Sequence, residues 1–217
     1  MTNTREIHLR RPAHSLKDKA ALGLVKFMRV FADAFFRKRY GHRAVVLETV
    51  AAVPGMVGGM LQHLKALRHI RDDQGWIKEL LDEADNERMH LMTFIQVSQP
   101  SLFERGLIMI AQAIFFNFYF FMYLFFPRTA HRFVAYLEEE AVVSYTSYLD
   151  EIDAGRIENG PAPRVAIEYW DLPREATLRD VVYAVRADEA KHRDVNHGFA
   201  DAMVENRKRG ARPVPAE

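Results

Sequence analysis

Glutamate and histidine recur in this chain at a spacing that lets a helix hold a metal. Glu87–Arg88–Met89–His90 and Glu189–Ala190–Lys191–His192 are two E-x-x-H motifs 102 residues apart. Positions i and i+3 share a helix face, so each motif can present a carboxylate and an imidazole to one point. Two further glutamates lie in apolar surroundings: Glu48 in LETVAAVPGM, and Glu138, the first glutamate of LEEEAVVSYT. Two E-x-x-H helices and one glutamate from each of two more make the ligand set of carboxylate-bridged di-iron bundles. Four carboxylates and two imidazoles suit a hard metal that keeps positions open for oxygen. The plainer reading is a pair of solvated helix faces with incidental Glu–His pairs. The second motif and the apolar setting of the two glutamates weigh against it. Glu139 and Glu140 compete with Glu138, because three consecutive glutamates cannot all face one metal.

Helices must position these residues. Residues 1–14 read as an irregular arm, with Pro12 near its end. A first helix is expected from Ser15, a plausible N-cap, to Arg39. A second, from about His42 to Arg71, carries Glu48, with Pro54 inside it as a kink or loosened turn. Were Pro54 to open the helix instead, Glu48 would fall in a loop. Gly55, Gly58 and Gly59 would let a neighbouring helix approach closely. Beyond the break at Gly75, Trp76 to Val97 carries Glu87 and His90 and stops before Pro100. Ala130 to Asp153 carries Glu138 and Tyr145. Residues 154–175 read as irregular, Leu178 to Asn206 as the helix of Glu189 and His192, and 207–217 as a disordered tail. The bundle domain is thus 15–206.

The run 107–126, LIMIAQAIFFNFYFFMYLFF, is about long enough to span a bilayer. Site geometry opposes a span. Glu87 and His90 precede the run and Glu138 follows it. A crossing helix would separate them by roughly 30 Å, too far to share a metal pair. Folded back at Pro100 and Pro127, the flanking helices place their ligands near the middle of the run. A buried or half lipid-facing helix in a compact bundle is therefore expected.

At 217 residues one domain is expected. The 49% hydrophobic content favours a globular or membrane-associated chain over disorder. With no cysteine, disulfides, iron–sulfur clusters and zinc–thiolate sites are excluded. The net charge of +1 conceals an asymmetry: residues 1–71 carry 14 Lys/Arg and 4 Asp/Glu, a net of +10, so the remainder is −9. Phe27, Phe31, Phe35 and Phe36 lie among the basic residues of 26–43. That mixture favours an in-plane membrane helix over a nucleic-acid arm. The first 20 residues lack an apolar core, so no cleavable targeting peptide is expected.

Four segments, LETVAAVPGMVGGMLQHL, LLDEADNERMHLMTF, LEEEAVVSYT and RADEAKHRDVNH, closely resemble the motif blocks of the alternative oxidases over about residues 20–200. Those are cyanide-insensitive di-iron quinol oxidases of mitochondria and some bacteria. The resemblance implies an all-α, ferritin-like four-helix di-iron bundle with two additional helices forming a membrane-binding face. It implies two irons held by Glu48, Glu87, His90, Glu138, Glu189 and His192. Among the three adjacent glutamates it selects Glu138, and the helical face agrees, since Tyr145 lies two turns along the same stripe. It makes Tyr145 the catalytic tyrosine beside the irons. Asn86, Asp188 and Trp170 match the hydrogen-bond network around the ligand histidines. Tyr123 and Tyr169 match further family tyrosines that are expected here to pack.

The quinol pocket implied by the resemblance comprises Arg29, Asp33, Arg43, Leu47, Glu48, Val134, Leu137 and Ala141, with Ser144 where a threonine is common. The activity implied is oxidation of ubiquinol or a related quinol, with reduction of O2 to water and no proton pumping. The chain would lie on one leaflet: the cytoplasmic face of a bacterial inner membrane, or the mitochondrial inner membrane. A homodimer is implied, with an interface near His63, Leu67 and Arg68. The regulatory cysteines of plant members have no counterpart, so thiol control is not expected. The same ligands also fit a di-iron lipid hydroxylase or desaturase and, in another class, a ferritin-like metal store. The short 154–178 connection argues against the plastid quinol oxidases.

Overall fold

A computed structural model describes residues 9–36 and 39–210, with side chains through 205. The expected tail beyond 210 and the arm before residue 9 lie outside the described residues. Seven helices are described: α1 Leu16–Phe36, α2 Tyr40–His69, α3 Trp76–Ser98, α4 Leu102–Phe125, α5 Pro127–Asp153, α6 Arg164–Trp170 and α7 Leu178–Gly210. No strand forms among the described residues, only an isolated bridge between Pro161 and Thr177.

Local chemistry sets the helix ends. Ser15 Oγ accepts Asp18 N–H at 3.0 Å, capping α1. Left-handed Ile70 ends α2, and left-handed Gly75 precedes α3. Ser101 and Glu104 form a reciprocal capping box that starts α4. Pro127 is the first residue of α5, where its missing N–H costs nothing, so α5 opens three residues earlier than expected. The segment read as irregular contains a helix, α6. Seven residues are too few for a helical period to show in the sequence. α7 runs to Gly210, through positions assigned to the tail.

α2 is continuous through Pro54, which keeps Glu48 on a helix. Its glycines set its distance from α3. A Cβ on Gly55 would lie 2.3 Å from Leu80 O and 2.9 Å from Ala84 Cβ. Backbone cannot move aside cheaply, so any side chain at Gly55 would drive the helices apart, at a typical overpacking cost of about 1–3 kcal/mol.

Two apolar clusters order the bundle. One joins Ala44, Val45, Phe94, Tyr145, Leu149, Val181 and Val185. The other joins Val25, Val53, Val57, Phe115, Tyr119, Phe133 and Tyr136. α2 runs from the first cluster to the second and α3 returns; α5 runs from the second to the first and α7 returns. The four form two antiparallel pairs. α4 is the long crossover that carries the chain back between α3 and α5, as in ferritin-like bundles. Burying each large apolar side chain in these clusters contributes about 1.5–3 kcal/mol. The turns that carry Glu48, Glu138 and the two Glu–His pairs lie between the clusters.

α2 and α4 are both long and apolar enough to cross a membrane. α2 is largely buried against its neighbours, whereas α4 buries Glu104, Phe115, Tyr119 and Tyr123 and exposes most of the rest. The residues before and after α4 meet in one interior site, so α4 runs beside that site and does not separate its halves.

Candidate metal centre

α2 contributes Glu48, α3 contributes Glu83, Glu87 and His90, α5 contributes Glu138 and Tyr145, and α7 contributes Asp188, Glu189 and His192. Except for the partly exposed Asp188, each is buried. Donor atoms of Glu48, Glu87, His90 and Glu189 all lie within 4.8 Å of one another. His90 Nδ1 is 3.3 Å from Glu48, 3.1 Å from Glu87 and 3.4 Å from Glu189. His192 Nδ1 is 2.8 Å from Glu87 Oε1. Glu138 adjoins the cluster through Glu189. The six residues named from the sequence are thus brought together in the buried interior.

The charges there conflict with one another. Burial, reinforced by Glu189, lifts Glu138 well above the carboxylate range. Burial and the charges of Glu87 and Glu48 push Glu189 up to about 8. Burial also raises Glu87, with His90 opposing and Glu48 adding to the rise. Glu48 is the exception: burial raises it, but hydrogen bonding and charge from His90 bring it below its ordinary value. His90 stands well above an ordinary histidine, because Glu87 and bonds to Asp188, Glu189 and Glu48 outweigh burial. Carboxylates crowded this way must hold protons or a cation.

The donor set fits a metal on a second ground. Glu87 Oε1 and His192 Nδ1 are buried and only 2.8 Å apart, yet neither has an aligned hydrogen-bond partner. Buried polar atoms are rarely left so. A metal held here would supply the partner that these two converging atoms lack. Oxygen-rich ligands with two imidazoles suit iron or manganese.

Asp188 is a hub. It accepts from Trp170 Nε1 at 2.8 Å and Asn86 Nδ2 at 3.0 Å, and lies 3.3 Å from His90 Nε2. Burial would raise its pKa, but the His90, Trp170 and Asn86 bonds pull it down to about 2. An ionised Asp188 keeps the Nε2 proton on His90 and turns Nδ1 toward the carboxylates, as outer partners of ligand histidines do. Trp170 also stacks on the His90 ring. Tyr145 donates a hydrogen bond to Glu48 Oε1. Glu139 and Glu140 point elsewhere: Glu139 meets His197 at 3.0 Å, and Glu140 pairs with Arg29. Both are buried, and neither is solvated.

A cavity of about 140 Å³ leads from α1 to the cluster. Of the residues expected around a quinol, Arg29, Arg43, Leu47, Glu48, Leu137 and Ala141 line it, and so does Ser144. Two do not. Val134 is wholly buried in the second apolar cluster, because it lies one turn from Glu138 toward that core. Asp33, half exposed, pairs instead with Arg29 and Arg43. Tyr123 and Tyr169, expected to pack, also hydrogen-bond, to Gln62 and to Asn86. Sequence reasoning missed Tyr40 and Tyr148, stacked in the cavity wall, and Glu83. The signal for Glu83 was its place four residues before Glu87, on the same face.

The model of the family described as alternative oxidase matches residues 2–201. This chain belongs to the alternative oxidase family. All the residues described around the cluster fall within the match. A mitochondrial ubiquinol oxidase of Batrachochytrium dendrobatidis is 65% identical over 190 residues, covering 88% of this chain and 60% of that protein. Alternative oxidase 3 of Glycine max, also mitochondrial, is 57% identical over 201 residues, covering 93% and 62%. Ubiquinol oxidase 1a of Arabidopsis thaliana is 58% identical over 198 residues, covering 91% and 56%. The chain spans about three fifths of the length of these relatives. Alternative oxidase membership favours neither the lipid hydroxylase nor the metal store that the ligands alone left open.

Proposed function

We propose that this chain is a quinol oxidase, taking electrons from ubiquinol or a related quinol and reducing O2 to water. The metal would be a pair of irons held by Glu48, Glu87, His90, Glu138, Glu189 and His192. One observation carries the reading: Glu48 belongs both to the carboxylate–imidazole cluster and to the wall of the cavity. A reductant seated in the cavity would lie one side chain from the metals. Two quinols give up four electrons and four protons, which is what one O2 needs to become two waters.

When bound, the iron pair supplies electron storage and the place where oxygen is reduced. The protein's own groups do the rest. Arg43 is buried, lines the cavity and has an unpartnered Nε–H, a donor ready for a quinol oxygen. Arg29 sits beside it, held by Glu140. The stacked Tyr40 and Tyr148 rings, with centroids 5.3 Å apart, form a flat wall for a flat head group. Leu47, Leu137 and Ala141 supply the apolar lining such pockets use. Tyr145 keeps a proton on the bond to Glu48 and is placed to release that proton with an electron.

The same reading places the chain on a membrane. α1 exposes Phe27, Val30, Phe31 and Phe35, and α4 exposes Met109, Ile110, Ile114 and Phe121. Both helices pack on α5, and α1 helps wall the cavity, so an apolar quinol would enter from lipid. Lying on one leaflet, the chain would have no path to pump protons across it. The mitochondrial names of the relatives support a mitochondrial membrane. On α2, Met56, Met60, Leu64 and Leu67 make an exposed apolar stripe, beside which a second copy could pack.

The test is oxygen uptake by purified protein given a short-chain ubiquinol, with iron measured per chain. Two irons and cyanide-resistant uptake are expected, and Glu138→Ala should lose both. Full iron and full uptake in Glu138→Ala would remove the ligand assignment. An iron-loaded protein that ignores quinol would remove the oxidase reading.

A further inference from the structure

The His192 half of the cluster has a support of its own. Asn196 lies one turn beyond His192 on α7 and is fully buried. Its amide meets His192 O at 3.0 Å and the two carboxylate oxygens of Glu83 at 3.0 and 2.9 Å. A carbonyl and a carboxylate accept, so the atom facing them is the amide nitrogen. The Asn196 oxygen must then accept, and it takes Nδ1–H of His131 at 2.9 Å. That leaves His131 with a bare Nε2, to which the Tyr123 hydroxyl donates at 3.0 Å. The Tyr123 oxygen in turn accepts from Gln62 Nε2 at 3.2 Å.

Chemistry thus dictates every direction in the chain Gln62, Tyr123, His131, Asn196, Glu83. Each member donates to the next. The scheme requires a neutral His131, and burial pushes its pKa down to about 4. Trp76 and Phe199 rings pack against it, with centroids 6.0 and 5.1 Å away. Gln62 borders a solvent groove between the end of α2 and the α4–α5 junction. Amide side chains at two of the five positions do not pass protons on, so the chain holds geometry and does not conduct protons.

We propose that Glu83, held through Asn196 by this one-way chain, is a positioning residue for His192, as Asp188 is for His90. Glu83 is buried one turn before Glu87, and its two oxygens share the Asn196 amide with the backbone carbonyl of His192. Asn196 ties that carboxylate to the backbone turn carrying His192, fixing how α3 and α7 present their ligands. The inference rests on the metal reading of the cluster.

The experiment is Co(II) titration of the iron-free full chain, followed by visible absorption, with helix content and unfolding midpoint measured alongside. Wild type should take two Co(II). Glu83→Gln and Asn196→Ala should weaken one of the two at least tenfold and shift its absorption bands, leaving the other as it was. Tyr123→Phe, which removes one hydroxyl remote from the metals, should show the same band shift at smaller size. Should Asn196→Ala fail to fold, Glu83→Gln and Tyr123→Phe decide the matter. Unchanged bands and affinities in Glu83→Gln would overturn the proposal. So would a lowered unfolding midpoint with both sites intact, the mark of a purely structural chain. A wild type that binds no Co(II) would remove the metal reading, and this inference with it.

Discussion

His90 and His192 stand at equivalent places in two E-x-x-H motifs, but their surroundings differ. His90 meets Glu48, Glu87 and Glu189 around Nδ1 and Asp188 at Nε2. His192 meets Glu87 at Nδ1, and its backbone carbonyl is tied to Asn196. The cause lies in what packs outside each motif. α6 brings Trp170 over the His90 ring and onto Asp188. Beyond His192 lie Asn196, His131 and the second apolar cluster. A repeated motif supplies the same Glu–His pair twice, and the neighbouring helices decide how firmly each imidazole is oriented.

The comparison is broken most sharply at Tyr145, which bonds Glu48 on the His90 side. If reduction of oxygen draws on that hydroxyl, Tyr145→Phe should keep two irons and lose turnover by roughly 10²–10⁴-fold, the usual worth of a positioned proton donor. Stability should change by only about 1 kcal/mol. Oxygen uptake per bound iron pair measures it, and wild-type turnover would reduce Tyr145 to a packing residue.

The His192 side is sharpened by pH. His131 has a pKa of about 4 in the fold and an ordinary value of 6.5 when unfolded. Between those values the unfolded chain binds a proton that the folded chain refuses. Stability should therefore fall as pH drops from about 6.5 to 4 and level off below, by about 3 kcal/mol from this group. Denaturant unfolding of wild type and His131→Gln at several pH values isolates the slope. Parallel curves would show that His131 titrates normally and that the chain's polarity is misassigned.

Asp188→Asn probes the His90 side more gently. The asparagine keeps the shape but cannot hold the Nε2 proton with a full charge. Metal on that side should weaken about 10–100-fold, with the His192 side unaffected. Iron retained against a graded chelator would show one labile and one firm metal. Two equally labile irons would mean that the halves are coupled and that the contrast between them is only geometric.

Much of the architecture was legible because its causes are local. A carboxylate and an imidazole three residues apart share a helix face whatever surrounds them, so the motifs announced two buried Glu–His pairs and the helices that bear them. Ser15, Gly75 and Pro100 end or start helices through their own local chemistry, a capping hydroxyl, a left-handed backbone and a missing N–H. If the Glu–His pair before the apolar run and Glu138 after it were to share one site, α4 had to fold back beside that site. Other features have no local signature. α6 was missed because its seven residues fall just short of two turns, yet it supplies Trp170. That Glu138 faces the cluster while Glu139 and Glu140 turn to His197 and Arg29 follows from where α7 and α1 lie. The Glu83–Asn196 contact joins residues 113 apart, and the α2–α3 distance that sets Glu48 against His90 depends on Gly55 meeting Leu80 O. The sequence by itself determined which chemistry the interior could hold, since ligand type and helical period are properties of the chain. Only the tertiary structure decided which oxygen meets which nitrogen, because the register between helices is settled by packing, and packing is shared among residues far apart in the chain.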